Sequence, residues 1–358
     1  VTENEQLFAE GLKSVVEETL SALGIDRFCL TLEDHGAVDY VVRARVEAAL
    51  RAASSQVTPW KIGSPGERTA RDRLRRTRLY APGNNPHLLM GVELHGADCV
   101  LLDLEDSVPP SEKDAARILV KHLLAAVDFP EVWVRINSLK TYGREDLADV
   151  MLSSPHGICL PKAESQDDVL ELAEQITAFE RSLDIDSGFT FIMPIIETGM
   201  GVLNALEIAS SSDRVVMMAF GAEDYTRDVG AKRTREGLLY PRSKIVAACA
   251  AAAIQPSDTV YADVDDEQGL IEETEHIRDL GFVSKGVINP RQIKPIHEVF
   301  RPTDEEIKQA REIVAAADEA RARGMGAIAL DGKMIDRPVL ERAKKVVALC
   351  EQLEGKWR

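Results

Sequence analysis

Apolar residues recur with one rhythm before residues 54–70 and with another after them. In the first part, Leu12, Val15, Val16 and Leu20 fall at helical spacing. Phe28, Leu30 and Leu32 then alternate with Cys29 and Thr31, and Val38, Val41, Val42, Val46 and Leu50 return to helical spacing over Val38–Ala53. This pattern predicts helix, strand (Arg27–Leu32), helix. A unit of roughly 50 residues makes a thin core that is marginal alone. It is followed by Ser54-Ser55-Gln56 through Pro59 and by Gly63-Ser64-Pro65-Gly66, a polar, turn-rich stretch with no period that reads as a linker.

Beyond the linker, short apolar runs alternate with helical stretches. The strand candidates are Leu79–Ala81, Cys99–Leu104, Val132–Ile136, Ile158–Pro161, Phe191–Ile195, Val215–Phe220, Val260–Ala262 and Gly286–Ile288. Between them, Asn85–Leu94, Ser111–Ala126, Asp167–Phe179, Val202–Ala209, Pro241–Ala253 and Asp266–Leu280 read as helices. This count predicts an α/β chain folded as a (β/α)8 TIM barrel; the rival, a doubly wound open sheet, lacks a GxGxxG after its first strand. Thr303–Arg323 and Arg337–Glu354 predict two further helices, separated by Gly324-Met325-Gly326 and the loop Leu330–Asp336. The expected domains are therefore a small α+β N-terminal domain (1–53), a linker (54–70), the barrel (71–302) and a C-terminal helical extension (303–358).

Composition narrows the class. Of 358 residues, 45% are hydrophobic and 29% charged, which excludes a mainly disordered chain. The net charge of −17 argues against nucleic-acid and membrane partners, because phosphate backbones and anionic lipids repel an acidic surface. No apolar run reaches bilayer-spanning length, and Val1–Glu10 lacks the order of a signal peptide. The chain begins without Met, as a trimmed N-terminus would. The five cysteines are scattered without a CxxC pair, which predicts reduced, mostly buried thiols and a cytoplasmic protein.

Barrel enzymes carry their chemistry at the carboxyl ends of the strands. Here those ends read Asp103-Leu104-Glu105-Asp106, Arg135-Ile136-Asn137, Pro161-Lys162, Glu197-Thr198 and Gly221-Ala222-Glu223-Asp224. Each has a plainer reading: Glu197 and Asp106 as helix-start residues, Arg135 as a partner of Asp103 or Glu105, Asp224 paired along its helix with Arg227 or Asp228. Their shared rim weakens all of these. Carboxylates facing one cavity repel, and a divalent cation removes that cost; oxygen donors without His or Cys favour Mg²⁺ over zinc. A 2-oxo or 2-hydroxy acid supplies further oxygens, and Arg135 can clamp a carboxylate with its planar fork. The implied chemistry is making or breaking a carbon–carbon bond beside a polarised carbonyl.

The ordered segments Arg76-Thr77-Arg78-Leu79-Tyr80-Ala81-Pro82-Gly83-Asn84, Gly96-Ala97-Asp98, Asp103-Leu104-Glu105-Asp106-Ser107-Val108, Val134-Arg135-Ile136-Asn137, Leu160-Pro161-Lys162-Ala163-Glu164, Pro194-Ile195-Ile196-Glu197-Thr198 and Gly221-Ala222-Glu223-Asp224 strongly resemble the citrate lyase β-subunit (CitE-like) family, related to malyl-CoA and citramalyl-CoA lyases. The resemblance covers roughly residues 70–350. It implies a Mg²⁺-dependent barrel that cleaves a 3-hydroxyacyl thioester into an acyl thioester and a 2-oxo acid. It implies Glu197 and Asp224 as metal ligands, Arg135 on the oxo-acid carboxylate, and Glu105 and Asp106 behind the metal and its waters. Within Met334-Ile335-Asp336 it implies Asp336 as a catalytic acid acting from a neighbouring subunit; Asp331 instead fits a DG turn. Arg76 and Lys162 are candidates for the thioester's phosphates and for site electrostatics. Arg78, where the family more often has an apolar residue, reads as a further phosphate contact or a surface charge.

The segment Leu30-Thr31-Leu32-Glu33-Asp34-His35-Gly36-Ala37-Val38-Asp39-Tyr40, with Val42–Leu50, resembles the C-terminal half of the citrate lyase acyl carrier protein (CitD-like). That family's serine bearing the CoA-derived group precedes this half, so either the chain is trimmed or the domain is a structural appendage. The expected substrate is citryl-CoA or a citryl carrier thioester, giving oxaloacetate and an acetyl thioester. Alternatives are a malyl-CoA or citramalyl-CoA lyase, a malate-synthase-like hydrolase of the thioester, and a non-catalytic docking subunit. Expected partners are the acyl thioester, the 2-oxo acid, further copies of the chain in a trimer or hexamer, and citrate lyase-type subunits.

Overall fold

The computed structural model describes residues 3–355 apart from Phe28, 63–65, 323–327 and 331–332. The chain forms two compact units, Val1–Ile293 and Lys294–Arg358. The first holds eight parallel strands closed into a barrel: β1 (Thr77–Pro82), β2 (Cys99–Asp103), β3 (Val132–Arg135), β4 (Gly157–Leu160), β5 (Phe191–Ile196), β6 (Met217–Phe220), β7 (Gln255–Asp258) and β8 (Ser284–Val287). Closure runs through the β1–β8 pair, in which Leu79 lies beside Val287. The interior is filled by side chains, among them Leu101, Trp133, Cys159, Met193, Ile195 and Val216. Trp133 is accommodated because Gly157 lies across from it: a Cβ there would fall 2.2 Å from the indole ring. Cys99, Cys159, Cys249 and Cys350 are buried free thiols, and Cys29 is an exposed one. No helix among the described residues is long and apolar enough to cross a membrane.

Several elements differ from the pattern-based expectation. Asn85–Leu94 is a short helix, Pro86–Leu89, and a 3-10 turn, Val92–His95, parted where Gly91 takes a left-handed φ of 74°. Strand β7 is Gln255–Asp258, upstream of Val260–Ala262. It is polar yet buried, because Asp258 is paired with Arg242 and Lys285 and Ser257 is hydrogen-bonded to Ser284. Residues 27 and 29–34 form no strand, and no other strand of the first unit lies outside the barrel to pair with them among the described residues. The expected loop at 330–336 contains part of a two-stranded antiparallel hairpin, β9 (Ile328–Leu330) with β10 (Lys333–Ile335). This hairpin lies in the second unit, whose helices Asp304–Ala322 and Arg337–Gly355 pack on each other through residues such as Ala310, Ala317 and Ala343. The Gly324–Gly326 break and Asp331 lie outside the described residues.

The N-terminal segment comprises helices α1 (Glu3–Ala22) and α2 (Asp39–Ala53), joined through a core of Val15, Leu20, Val42 and Val46. Helix α2 packs against the barrel helix Lys113–Ala126. A buried carboxylate lies between them. The fully buried Glu47 side chain meets Lys121, lies 2.7 Å from His122 Nε2, and faces the Arg51 guanidinium at 3.5 Å. Burial alone would raise the Glu47 carboxyl; His122 and Lys121 outweigh it and bring it down to about 2. The ionised form is thus favoured by folding, so the stabilisation is complete above about 4.5 and is lost as pH falls toward 2. Glu47→Gln leaves the buried Lys121 with only Asp149, 3.8 Å away, as a counter-charge, and urea denaturation at pH 7 should show a loss of about 3 kcal/mol. The gap between variant and wild type should shrink as pH drops below 4.5. A pH-independent gap would assign the loss to packing.

Candidate active site

A cavity of about 510 Å³ opens at the carboxyl ends of the barrel strands, lined by Tyr80, Asp103, Arg135, Glu197 and Asp224 among others. Each charged group is delivered by the end of a strand, by the turn after it or by the first turn of the helix that follows.

Asp103 closes β2 and organises the loop that follows. Its oxygens accept the backbone N–H groups of Glu105 at 2.9 Å and Ser107 at 3.2 Å. They also take a two-pronged contact from Arg135 at the end of β3, with Nε–Oδ1 at 2.7 Å and Nη2–Oδ2 at 2.8 Å. Burial pushes the Asp103 carboxyl up, but the Arg135 charge and hydrogen bonds outweigh it and hold it below the usual range. The same loop is tied from behind by the buried Lys113 ammonium, which donates to the carbonyls of Leu104 at 2.7 Å and Glu105 at 2.6 Å. The plainer reading of Arg135 as a partner of Asp103 and the functional one therefore coexist: the arginine is paired and also faces the cavity.

Glu197 follows β5 and is nearly inaccessible, with 3% exposure. Its Oε1 accepts the Lys162 backbone N–H at 2.8 Å. Gly221 leaves space for it, since a Cβ there would fall 2.7 Å from Glu197 Oε2. Burial, with the Glu105 and Asp224 charges adding to it, pushes the Glu197 carboxyl up to about 8. Asp224, in the helix Ala222–Val229, lines the cavity and is also paired with Arg227, as its plainer reading expected.

Lys162 bridges this acidic cluster. Its backbone lies in the left-handed region at φ 51°, a conformation unusual outside glycine that is associated with functional turns. While its N–H holds Glu197, its ammonium meets Glu105 Oε1 at 2.6 Å. Glu105 Oε2 lies 3.0 Å from Arg135 Nη1 without hydrogen-bond alignment, and among the described residues it has no hydrogen-bond partner. Burial raises the Glu105 carboxyl despite Arg135 and Lys162. Asp106 is largely exposed on the cavity wall.

This donor set fits a hard divalent cation. All of the acidic donors are carboxylates, one has a buried oxygen without a hydrogen bond, and Glu197 is held in a space a side chain at 221 would fill. A cation would offset the burial and the added repulsion from Glu105 and Asp224 that raise Glu197.

One candidate lies at the other end of the barrel. Arg76 precedes β1, so it lies at the amino end of the barrel, opposite the cavity; its side chain pairs with Asp98 at 2.9 Å. This corrects its assignment to the thioester phosphates: the motif containing it runs the whole length of a strand, and its two ends face opposite ways. Asp336 belongs to the second unit, is exposed, and accepts the Val339 N–H at 3.0 Å at the start of the helix Arg337–Gly355. Arg78 is neither a surface charge nor a rim residue, being 1% exposed inside the barrel. Tyr80, whose ring centre lies 5.3 Å from the Arg135 guanidinium carbon, and Lys113 were not singled out from sequence. Tyr80 stood inside a recognised motif; Lys113 gave no signal.

Residues 76–290 match the family described as HpcH/HpaI aldolase/citrate lyase. Residues 1–53 match a second model, an acyl carrier type described as malonate decarboxylase delta subunit (MdcD). Over 284 residues the chain is 43% identical to the citrate lyase subunit beta of Leuconostoc mesenteroides subsp. cremoris, covering 78% of this chain and 94% of that one. It is 33% identical over 297 residues to human mitochondrial citramalyl-CoA lyase, covering 79% and 87%. Among solved structures, the protein CitE of Mycobacterium tuberculosis in complex with magnesium, acetoacetate and coenzyme A aligns with a TM-score of 0.65 and 30% identity, covering 79% of this chain and all of that one.

The double-pronged Asp103–Arg135 contact generates a test. Arg135→Lys keeps the charge beside Asp103 but loses the planar fork. Turnover should fall by about 100-fold, as for a misplaced binding group, with the thermal midpoint little changed. A fully active Lys variant would leave Arg135 a purely structural partner of Asp103.

Proposed function

The chain belongs to the HpcH/HpaI aldolase/citrate lyase family, and from that membership we propose that it is a magnesium-dependent carbon–carbon lyase cleaving a citryl-like 3-hydroxyacyl thioester to a 2-oxo acid and an acyl thioester. The observation that carries this reading is the pairing, across one cavity, of a buried carboxylate cluster with a guanidinium. A cation and an oxo-acid carboxylate are the two ligands such a pairing accepts.

Glu197 and Asp224 would hold Mg²⁺. When bound, the ion supplies Lewis-acid polarisation of the substrate oxygen that becomes the carbonyl. The remaining work falls to the side chains. Arg135, fixed on Asp103 along one edge, orients the acid half of the substrate. Lys162 and Glu105 form an ion pair behind the cluster that sets its net charge. As the substrate hydroxyl becomes the carbonyl it gives up its proton to water, and breaking the carbon–carbon bond leaves a thioester enolate whose carbon must take up one proton. Asp336 is the donor in this proposal; its exposed position at a helix start makes it available to a neighbouring copy. A homo-oligomer and citrate lyase-type partner subunits belong to the same reading, with CoA or a carrier as the thioester.

The similarity to the citrate lyase β subunit and the carrier-like residues 1–53 favour citryl as the acyl group. The similarity to citramalyl-CoA lyase supports citramalyl-CoA as a second substrate to test. Purified protein should cleave one member of a panel of citryl-, citramalyl- and malyl-CoA, lose activity in EDTA and recover it with Mg²⁺ or Mn²⁺. Glu197→Gln or Asp224→Asn should cost several orders of magnitude in kcat, whereas undiminished rates without metal would refute the metal role. Release of free CoA, measured alongside, would instead indicate thioester hydrolysis.

The shared-site element is tested by complementation. Arg135→Ala and Asp336→Asn variants, each inactive alone, should regain activity when refolded together, because mixed oligomers pair intact cavities with intact Asp336 segments. Co-refolded mixtures as inactive as the parents would place Asp336 outside catalysis or within its own subunit's chemistry.

A further inference from the structure

Arg78 occupies an unusual electrostatic position. The other buried arginines among the described residues each face a carboxylate: Arg75 with Glu131, Arg117 with Asp146, Arg214 with Glu180, Arg242 with Asp258. Arg78 does not. Its Nε donates to Ser257 Oγ at 2.8 Å, its Nη1 to Tyr80 Oη at 3.3 Å and to Met193 Sδ at 3.6 Å, and its Nη2 to the Asp258 carbonyl at 3.3 Å. All four acceptors are neutral. Asp258, whose carbonyl it uses, has its carboxylate committed to Arg242 and Lys285.

This charge lies just under the cavity. Arg78 and Tyr80 are two apart on β1 and point to the same, interior side of the barrel. Tyr80 lines the cavity; Arg78 is one layer deeper. The Tyr80 ring lies between two guanidiniums, 5.7 Å from the carbon of Arg78 and 5.3 Å from that of Arg135. An arginine kept for stability alone would be expected to have a counter-charge, because burying a cation without one is costly. A cost retained below a binding cavity points to a ligand that supplies the missing charge.

We propose that Arg78 is a specificity-determining residue: its charge beneath the Tyr80 floor favours an acid half bearing a second carboxylate over one bearing a single carboxylate, and its hold on Tyr80 positions Arg135. This deepens the lyase reading, on which the identity of the ligand class rests. At a separation of one side-chain layer, a charge of this kind changes the affinity for a dianion relative to a monoanion by about tenfold.

Calorimetric titration with oxaloacetate and pyruvate, in the presence of Mg²⁺, reads this directly. Wild type should prefer oxaloacetate. Arg78→Gln, which keeps hydrogen bonding, and Arg78→Met, which keeps volume, should each lose about tenfold in that preference. Arg78→Lys should retain it. The neutral variants should melt no lower than wild type, whereas loss of a merely structural arginine lowers the thermal midpoint and leaves the preference unchanged. An unchanged oxaloacetate-to-pyruvate ratio in whichever neutral variant folds would overturn the proposal while leaving the lyase reading intact. A wild type that shows the Arg78-dependent preference yet cleaves no 3-hydroxyacyl thioester would uphold Arg78 and overturn the lyase reading. A wild type that binds neither acid would overturn both.

Discussion

Concentrating carboxylates at one end of a barrel is the constraint from which the rest of the mouth follows. Asp103, Glu105, Glu197 and Asp224 come from three different strand ends, and three of the four are nearly inaccessible. Carboxylates so placed destabilise each other unless every charge is answered. Arg135 answers Asp103, Lys162 answers Glu105, and the Lys162 backbone meets Glu197 without supplying enough to keep it in the usual range. In the proposed reading, that residual imbalance at Glu197 is what a bound cation would answer. The supporting parts are there to hold that imbalance in place: the Lys113 ties to the loop after β2, the strained turn at Lys162, and the missing side chain at Gly221.

How much of this could be read in the sequence depends on which physical signal each part leaves. Strands β1 to β6 are apolar runs and were legible, as was the barrel they form. Strand β7 was misplaced because Ser257 and Asp258 are made compatible with burial by Ser284, Arg242 and Lys285, partners distant in sequence. The positions of Arg135, Glu197 and Asp224 were legible because barrel topology dictates where the strand ends lie, and all three line the cavity; their roles rest on the resemblance. Arg76, a candidate only through the family resemblance, stands before its strand and not after it. Arg78 and Lys113 could not be assigned from sequence, since a buried cation and a surface cation look alike until its neighbours are known.

The N-terminal helices follow the same rule of answered charge. Glu47 joins α2 to the barrel helix Lys113–Ala126 through Lys121 and His122, so this carrier-like segment is held by a buried ionic contact as well as by apolar packing. Moving it away from the barrel flank would expose Lys121 and leave it only the longer contact to Asp149 at 3.8 Å, a cost that keeps the segment where it is. Its thin core of Val15, Leu20, Val42 and Val46, marginal alone, is thereby extended by the barrel.

The central claim is that the imbalance around Glu197 is resolved by a divalent cation. Anomalous diffraction from crystals grown with Mn²⁺ tests it without recourse to turnover. The account predicts a single strong peak in contact with the Glu197 and Asp224 carboxylates, absent from crystals of a Glu197→Gln variant. A cavity without a peak, or a peak held by other residues, would contradict it.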